Sequence, residues 1–146
     1  QRMPKDPDCE FGDPRNYPYL SVCTTSTHDM SGIRGWWEEN REKTEHFYHN
    51  VLREHGGTPY FAEPWICDRI VEMNLKAPSM LCILPLQDWM SVSPEIRRED
   101  PREEQINVPA NSRHYWRYRM HITVEQLLAE SAFNSRVAAL IADSGR

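Results

Sequence analysis

The chain has 146 residues, with 17 Lys and Arg against 22 Asp and Glu, a formal net charge of −5. That length is one domain's worth, enough for a modest core, and the interleaved signs argue against a nucleic-acid or anionic-membrane surface, both of which need a basic patch. No apolar run approaches the roughly 18 residues of a membrane span, and no signal peptide opens the chain.

Residues 1–18 read as an exposed loop, because Pro4, Pro7, Pro14 and Pro18 alternate with Asp6, Asp8, Gly12 and Asp13. Tyr17-Pro-Tyr-Leu20 starts a strand, about Tyr19 to Thr25, with proline placed where no ladder bond is lost. Gly32 and Gly35 interrupt the next opening. From Trp36 to about Glu54 there is neither glycine nor proline, and Trp37, Phe47, Tyr48, Val51 and Leu52 recur at helical spacing. This predicts one long helix, stopped by Gly56 and Gly57. Pro64 at a first helical position opens a second helix, about Pro64 to Asn74, with Trp65, Ile66, Ile70, Val71 and Met73 inward and Ala77-Pro78 beyond its end.

Ser79 to Leu86 is almost continuously apolar, the pattern of a strand buried on both faces of a parallel sheet. Gln87-Asp88 change the chemistry at its carboxyl end. Residues 19–90 therefore form a strand-helix-helix-strand unit whose crossover of roughly 50 residues demands parallel, right-handed pairing. Residues 91–122 form a second, charged loop with Pro94, Pro101 and Pro109, and a short helix is expected near Pro94 to Arg98. Residues 123–146 carry C-terminal helices. Thr123 and Gln126 make a capping box for one ending about Glu130. Ser131 is expected to cap the last, Ala132 to Asp143, with Phe133, Val137, Leu140 and Ile141 inward. At its start, Gln1 to Met3 hint weakly at a further strand. Cys9, Cys23, Cys67 and Cys82 lie far apart with no C-x-x-C, which points to a reduced, cytoplasmic chain.

The run Thr25-Ser-Thr-His-Asp29 sits where the first strand yields to a helix. In parallel α/β proteins the carboxyl end of a strand delivers side chains to a ligand crevice. From spacing alone, Thr27 or Asp29 capping that helix is the simpler use. Ser26 beside His28 and Asp29 evokes a nucleophilic triad, but consecutive residues do not converge on one reacting atom. His46-x-x-His49 lacks the H-E-x-x-H pattern and a third ligand, which leaves it on a solvated helix face. No metal or cofactor is implied.

Ser26-Thr-His-Asp29, followed by Arg34-Gly-Trp-Trp37, resembles the strand-seven motif of the 4-alpha-glucanotransferases, the amylomaltase or disproportionating-enzyme family. Leu84-Pro-Leu-Gln-Asp-Trp89 and the stretch Ile106 to Arg119 agree with it in order and spacing, with wording closer to the larger bacterial and plant cytosolic enzymes. The resemblance implies an α/β fold: the C-terminal fragment of a (β/α)8 TIM barrel, mainly helical, whose two parallel strands are barrel strands seven and eight. It implies an enzyme that transfers α-1,4-glucan segments between maltooligosaccharides by a retaining double displacement. Asp29 matches the carboxylate that stabilises the oxocarbenium-like transition state, and His28 its sugar-binding neighbour. Asn107 is expected to bind substrate.

Gln87 and Asp88 are further candidates for contact with glucan, and Tyr115, Trp116 and Tyr118 for stacking, although Trp116 and Tyr118 also fit packing on a half-buried strand. Arg34, Trp36 and Trp37 are expected to shape the turn, and Arg113, Arg117 and Arg119 to satisfy loop carbonyls and carboxylates. No segment matches the family's nucleophile or general acid, so the chain alone is expected to be inactive. A related α-glucan hydrolase and a non-catalytic helical interaction domain are the rival readings. Apolar strands without their barrel neighbours imply self-association, or a rearranged helical packing that covers them.

Overall fold

The computed structural model describes residues 2, 4 and 7–146. The hinted strand at Gln1 to Met3 thus lies, apart from Arg2, outside the described residues. After a 3-10 turn at Pro14–Asn16 come β1 (Val22–Cys23), α1 (Ile33–Glu39), α2 (Arg41–Asn50), α3 (Pro64–Leu75), β2 (Leu81–Cys82) and α4 (Leu86–Met90). A second 3-10 turn (Pro101–Glu104), α5 (Val124–Ala129) and α6 (Ser131–Asp143) complete the chain. The fold is α/β, mainly helical, with two parallel strands. Among the described residues no helix is long and apolar enough to cross a membrane.

The strands pair in parallel, Val22 with Leu81 and Cys23 with Cys82. Backbone bonds from Met80 N to Tyr19 O (2.7 Å) and from Ile83 N to Cys23 O (2.9 Å) carry the pairing beyond the regular ladder. The strands are shorter than expected because each gives way to another use at its carboxyl end. Thr25 and Ser26 turn to a carboxylate, and Leu86, expected in the strand, opens α4 after Pro85. The expected burial of the second strand on both faces is also corrected: Met80, Leu81 and Ile83 are 48%, 46% and 59% exposed. Among the described residues no helical packing covers that side. Cys23 and Cys82 are in-register neighbours, and both thiols donate to the Asn74 carbonyl at 3.6 and 3.5 Å.

The long helix expected from Trp36 to Glu54 is two helices. Asn40 leaves helical geometry (φ −146°, ψ 107°), and its side chain accepts from Lys43 N, so it ends α1 and caps α2. α2 stops at Asn50, well before the glycines. Arg53 takes the left-handed conformation (φ 62°), and Glu54 N bonds back to Tyr48 O at 3.1 Å, which closes the helix on a non-glycine residue. α3 matches its expected span to within a residue, but Trp65 is 41% exposed while Cys67, Asn74 and Leu75 face inward. No helix forms at Pro94 to Arg98; that stretch is a turn with a single Arg97 N to Ser93 O bond.

The Thr123–Gln126 capping box forms in both directions and opens α5. Ser131 is the first residue of α6 and not its cap, since Glu130 occupies that position without a side-chain bond. Ile141, expected inward, is 38% exposed.

The main core lies between α1, α2 and α3, where Ile33, Trp37, Phe47, Ile66, Val71 and Leu75 are buried. Trp36, Trp37 and Phe11 meet Phe47 edge-to-face, with ring centroids 5.1 to 6.4 Å apart. Aromatic quadrupoles favour that arrangement. A smaller cluster of Met90, Ile96 and Phe133 attaches α6 to α4 and the second loop. This leaves the β1–α1 turn at the surface, between the packed helices and the loop 91–122.

Candidate functional site

The turn after β1 is fixed from below by Asp88 of α4. Its carboxylate is buried and accepts from Thr25 Oγ1 (2.5 Å), Ser26 Oγ (2.6 Å) and the Ile33 backbone N–H (2.8 Å). Asp88 therefore caps α1, the role that spacing gave to Thr27 or Asp29. Gly32 is required for this approach, because a Cβ there would lie 2.7 Å from Asp88 Oδ1. Arg2 closes the other side, donating to Thr25 O (3.0 Å) and Ser31 O (2.8 Å) with its guanidinium over the Trp36 ring.

Freed from capping, His28 and Asp29 project at the tip of the turn, with half of each side chain exposed. His28 Nε2 lies 3.2 Å from Asp29 Oδ2. The other oxygen, Oδ1, accepts from Asn107 Nδ2 at 2.7 Å, and Asn107 N donates to His28 O at 3.0 Å. The three candidates are thus brought together across 78 residues of chain. Trp116 joins them, its ring 4.9 Å from the His28 ring and its surface 61% exposed.

What holds the second loop there is Arg34, buried at the foot of α1. It pairs with buried Glu104 at 2.7 Å and donates to the Arg98 and Glu99 carbonyls at 2.6 and 3.0 Å. Arg34 thus bolts the loop to the helix. Trp37 packs in the core with Nε1 on Pro59 O.

Chemically, Asp29 is a carboxylate positioned by two side-chain partners yet open to solvent. Each carboxylate oxygen has two lone pairs, so capacity remains for ligand hydroxyls. A cavity of about 340 Å³ opens beside it, walled by Trp36, Glu39, Gln105 and Pro109. Sequence reasoning had Trp36 only shaping the turn, and did not single out Glu39. The tandem tryptophans were the signal, since neighbours on a helix point about 100° apart. One enters the core, and the other reaches its rim.

Gln87 and Asp88 do not reach this surface. Gln87 is buried with Nε2 on Glu104 O, and Asp88 has its three internal donors, so neither is free to meet a sugar. Ser26 is buried and spends its hydroxyl on Asp88, which removes it as a nucleophile. Tyr115 is exposed on the loop, while the Tyr118 hydroxyl is buried. No strand forms at residues 115–120, so the half-buried strand packing weighed for Trp116 and Tyr118 is not found. His46 contacts Glu10 and His49 bonds Glu54 O on the far side of α2.

The family model described as 4-alpha-glucanotransferase matches residues 1–124. The chain is 39% identical over its whole length to the 4-alpha-glucanotransferase DPE2 of Oryza sativa subsp. japonica, of which it covers 15%. Over 85% of its length it is 30% identical to the 4-alpha-glucanotransferase of Chlamydia trachomatis serovar D, of which it covers 23%. Its fold is similar to the amylomaltase from Streptococcus agalactiae solved in complex with acarbose, with a TM-score of 0.66 and 20% identity over 91% of this chain and 23% of that one. The chain spans less than a quarter of the length of each of these proteins.

Proposed function

This chain belongs to the 4-alpha-glucanotransferase family, and from that premise we propose that it forms the sugar-positioning part of an enzyme moving α-1,4-glucan segments between maltooligosaccharides. The observation that carries the reading is Asp29, held between His28 and Asn107 and left half exposed at a cavity rim. Asp29 accepts hydrogen bonds from hydroxyls of the distorted sugar, bonds that strengthen as positive charge develops on the ring. His28 donates to a neighbouring hydroxyl. Asn107 holds the carboxylate in place, and Trp116 offers a face on which a glucosyl ring can stack.

In this reading β1 and β2 are the seventh and eighth strands of a barrel whose other strands lie elsewhere in the enzyme. The nucleophile and the general acid that make and break glycosidic bonds are supplied there too. The cysteine spacing, four residues far apart with no C-x-x-C, is the ground for proposing a reducing, cytoplasmic setting.

The test has two arms. Residues 1–146 incubated with maltotriose are expected to yield neither glucose nor longer maltodextrins. Robust transfer would put the catalytic carboxylates among these residues and overturn the assignment. In the complete enzyme, Asp29→Asn is expected to lower kcat by about 10²-fold or more, the scale of losing one transition-state contact, with the circular dichroism spectrum unchanged. An Asp29→Asn enzyme with unaltered kcat would remove Asp29 from the site.

A further inference from the structure

In a chain of net charge −5, one cavity is strongly basic. It encloses about 640 Å³ in the loop 98–119, and Arg98, Arg102, Arg113, Arg117, Arg119 and His114 all line it, with Glu103 the one acid. Glu103 is taken by Arg98 at 2.8 Å, and Arg102 is paired with Asp100 at 2.9 Å. The side chains of Arg113, Arg117 and Arg119 have no hydrogen bond or ion pair among the described residues, contrary to the expectation that they satisfy loop carbonyls and carboxylates. The buried Tyr118 hydroxyl, which also lines it, has the Arg98 side chain as its hydrogen-bonding neighbour. Three uncommitted guanidinium forks around one cavity match a phosphate, which takes bidentate charge-assisted bonds from Arg.

The cavity's position says what carries the phosphate. Gln105 lines both this cavity and the one that contains Asp29, and its side chain donates to Asn107 O at 3.0 Å. A ligand can therefore lie with a sugar ring in the cavity beside Asp29 and a substituent among the arginines. The geometry points to a phosphate-monoester subsite: the chain accepts α-glucan bearing a phosphate on a glucosyl hydroxyl, in preference to the unsubstituted chain. This rests on the reading of Asp29 as a glucan site. Phosphate esters on a glucan and free phosphate share the chemistry, and the experiment separates them.

The experiment is calorimetric titration of residues 1–146 with maltotriose, with maltotriose carrying a 6-phosphate, and with inorganic phosphate. The phosphorylated trisaccharide is expected to bind about tenfold tighter than maltotriose, the scale of one added charge-assisted pair. The advantage should shrink when salt rises from roughly 50 to roughly 200 mM. Arg113→Gln with Arg117→Gln should abolish the advantage and leave maltotriose affinity unchanged; both residues are exposed, so the fold should hold. Equal affinity for the two trisaccharides overturns the subsite. Inorganic phosphate binding as tightly as the phosphorylated sugar also overturns it, in favour of a free anion. Failure of maltotriose itself to bind strikes instead at the glucan reading of Asp29.

Discussion

Asp29 on the β1–α1 turn and Asp88 beneath it in α4 are two aspartates with opposite uses, and the difference is legible in their donors. Asp88 is 2% exposed and takes two hydroxyls and a backbone N–H, and its absence would leave buried Ser26 and Ile33 N–H and half-buried Thr25 unpaired. Hydrogen bonds to a charged acceptor contribute about 1.5–3 kcal/mol each, and stranding a buried donor costs about as much. Asp88→Asn puts an amide against donors that need an acceptor, so a stability loss of about 2–3 kcal/mol is expected by urea denaturation. Asp29 is bound by partners at the surface. Its replacement by Asn is expected to change stability by no more than about 0.5 kcal/mol while removing maltotriose binding. Equal stability losses for the two variants would show that Asp29 is part of the scaffold.

At the scale of elements, the junction between α1 and α2 decides where the site's wall stands. Asn40 lets α1 end after Glu39 and α2 start at a new angle, so that Phe47 returns to meet both Trp36 and Trp37. Asn40→Ala is expected to cost about 1 kcal/mol, the usual loss of a cap, whereas in a continuous exposed helix the same change would stabilise through alanine's higher propensity. The sign of the urea-midpoint shift therefore tests the break. The other junction is the Arg34–Glu104 pair, which lies under the loop that delivers Asn107 and Trp116. Its two members are 70 residues apart in sequence. It has no local signature, and periodicity could not have found it.

For the molecule as a whole, the sheet is the unfinished part. Tyr19, Leu20, Val22, Met80, Leu81 and Ile83 are between 46% and 81% exposed on and beside two paired strands whose outer edges are open among the described residues. Edges and apolar faces of this kind template pairing between chains. Residues 1–146 are therefore expected to self-associate, with a weight-average mass by light scattering that rises with concentration. Leu20→Lys with Ile83→Lys should return the chain toward a monomer of 17.2 kDa. A concentration-independent monomer of the unsubstituted chain, with its strands intact, would contradict this.

The sequence by itself determined what local chemistry can encode. It specified α3 by Pro64 and its apolar face, α5 by the Thr123 capping box, parallel pairing by the long crossover, and the family by three ordered motifs. His28, Asp29 and Asn107 were legible as polar residues on a turn and a loop. Their meeting was not, because it depends on buried Arg34 and Glu104 fixing the loop 91–122 against α1. Propensity likewise misjudged Asn40, Arg53 and the charged stretch 94–98, where capping, a left-handed residue and tertiary contacts outweigh intrinsic preference. Only the tertiary structure decided that Asp88 is capping buried donors while Asp29 stays open to solvent, since a carboxylate's role follows from which donors and how much water surround it.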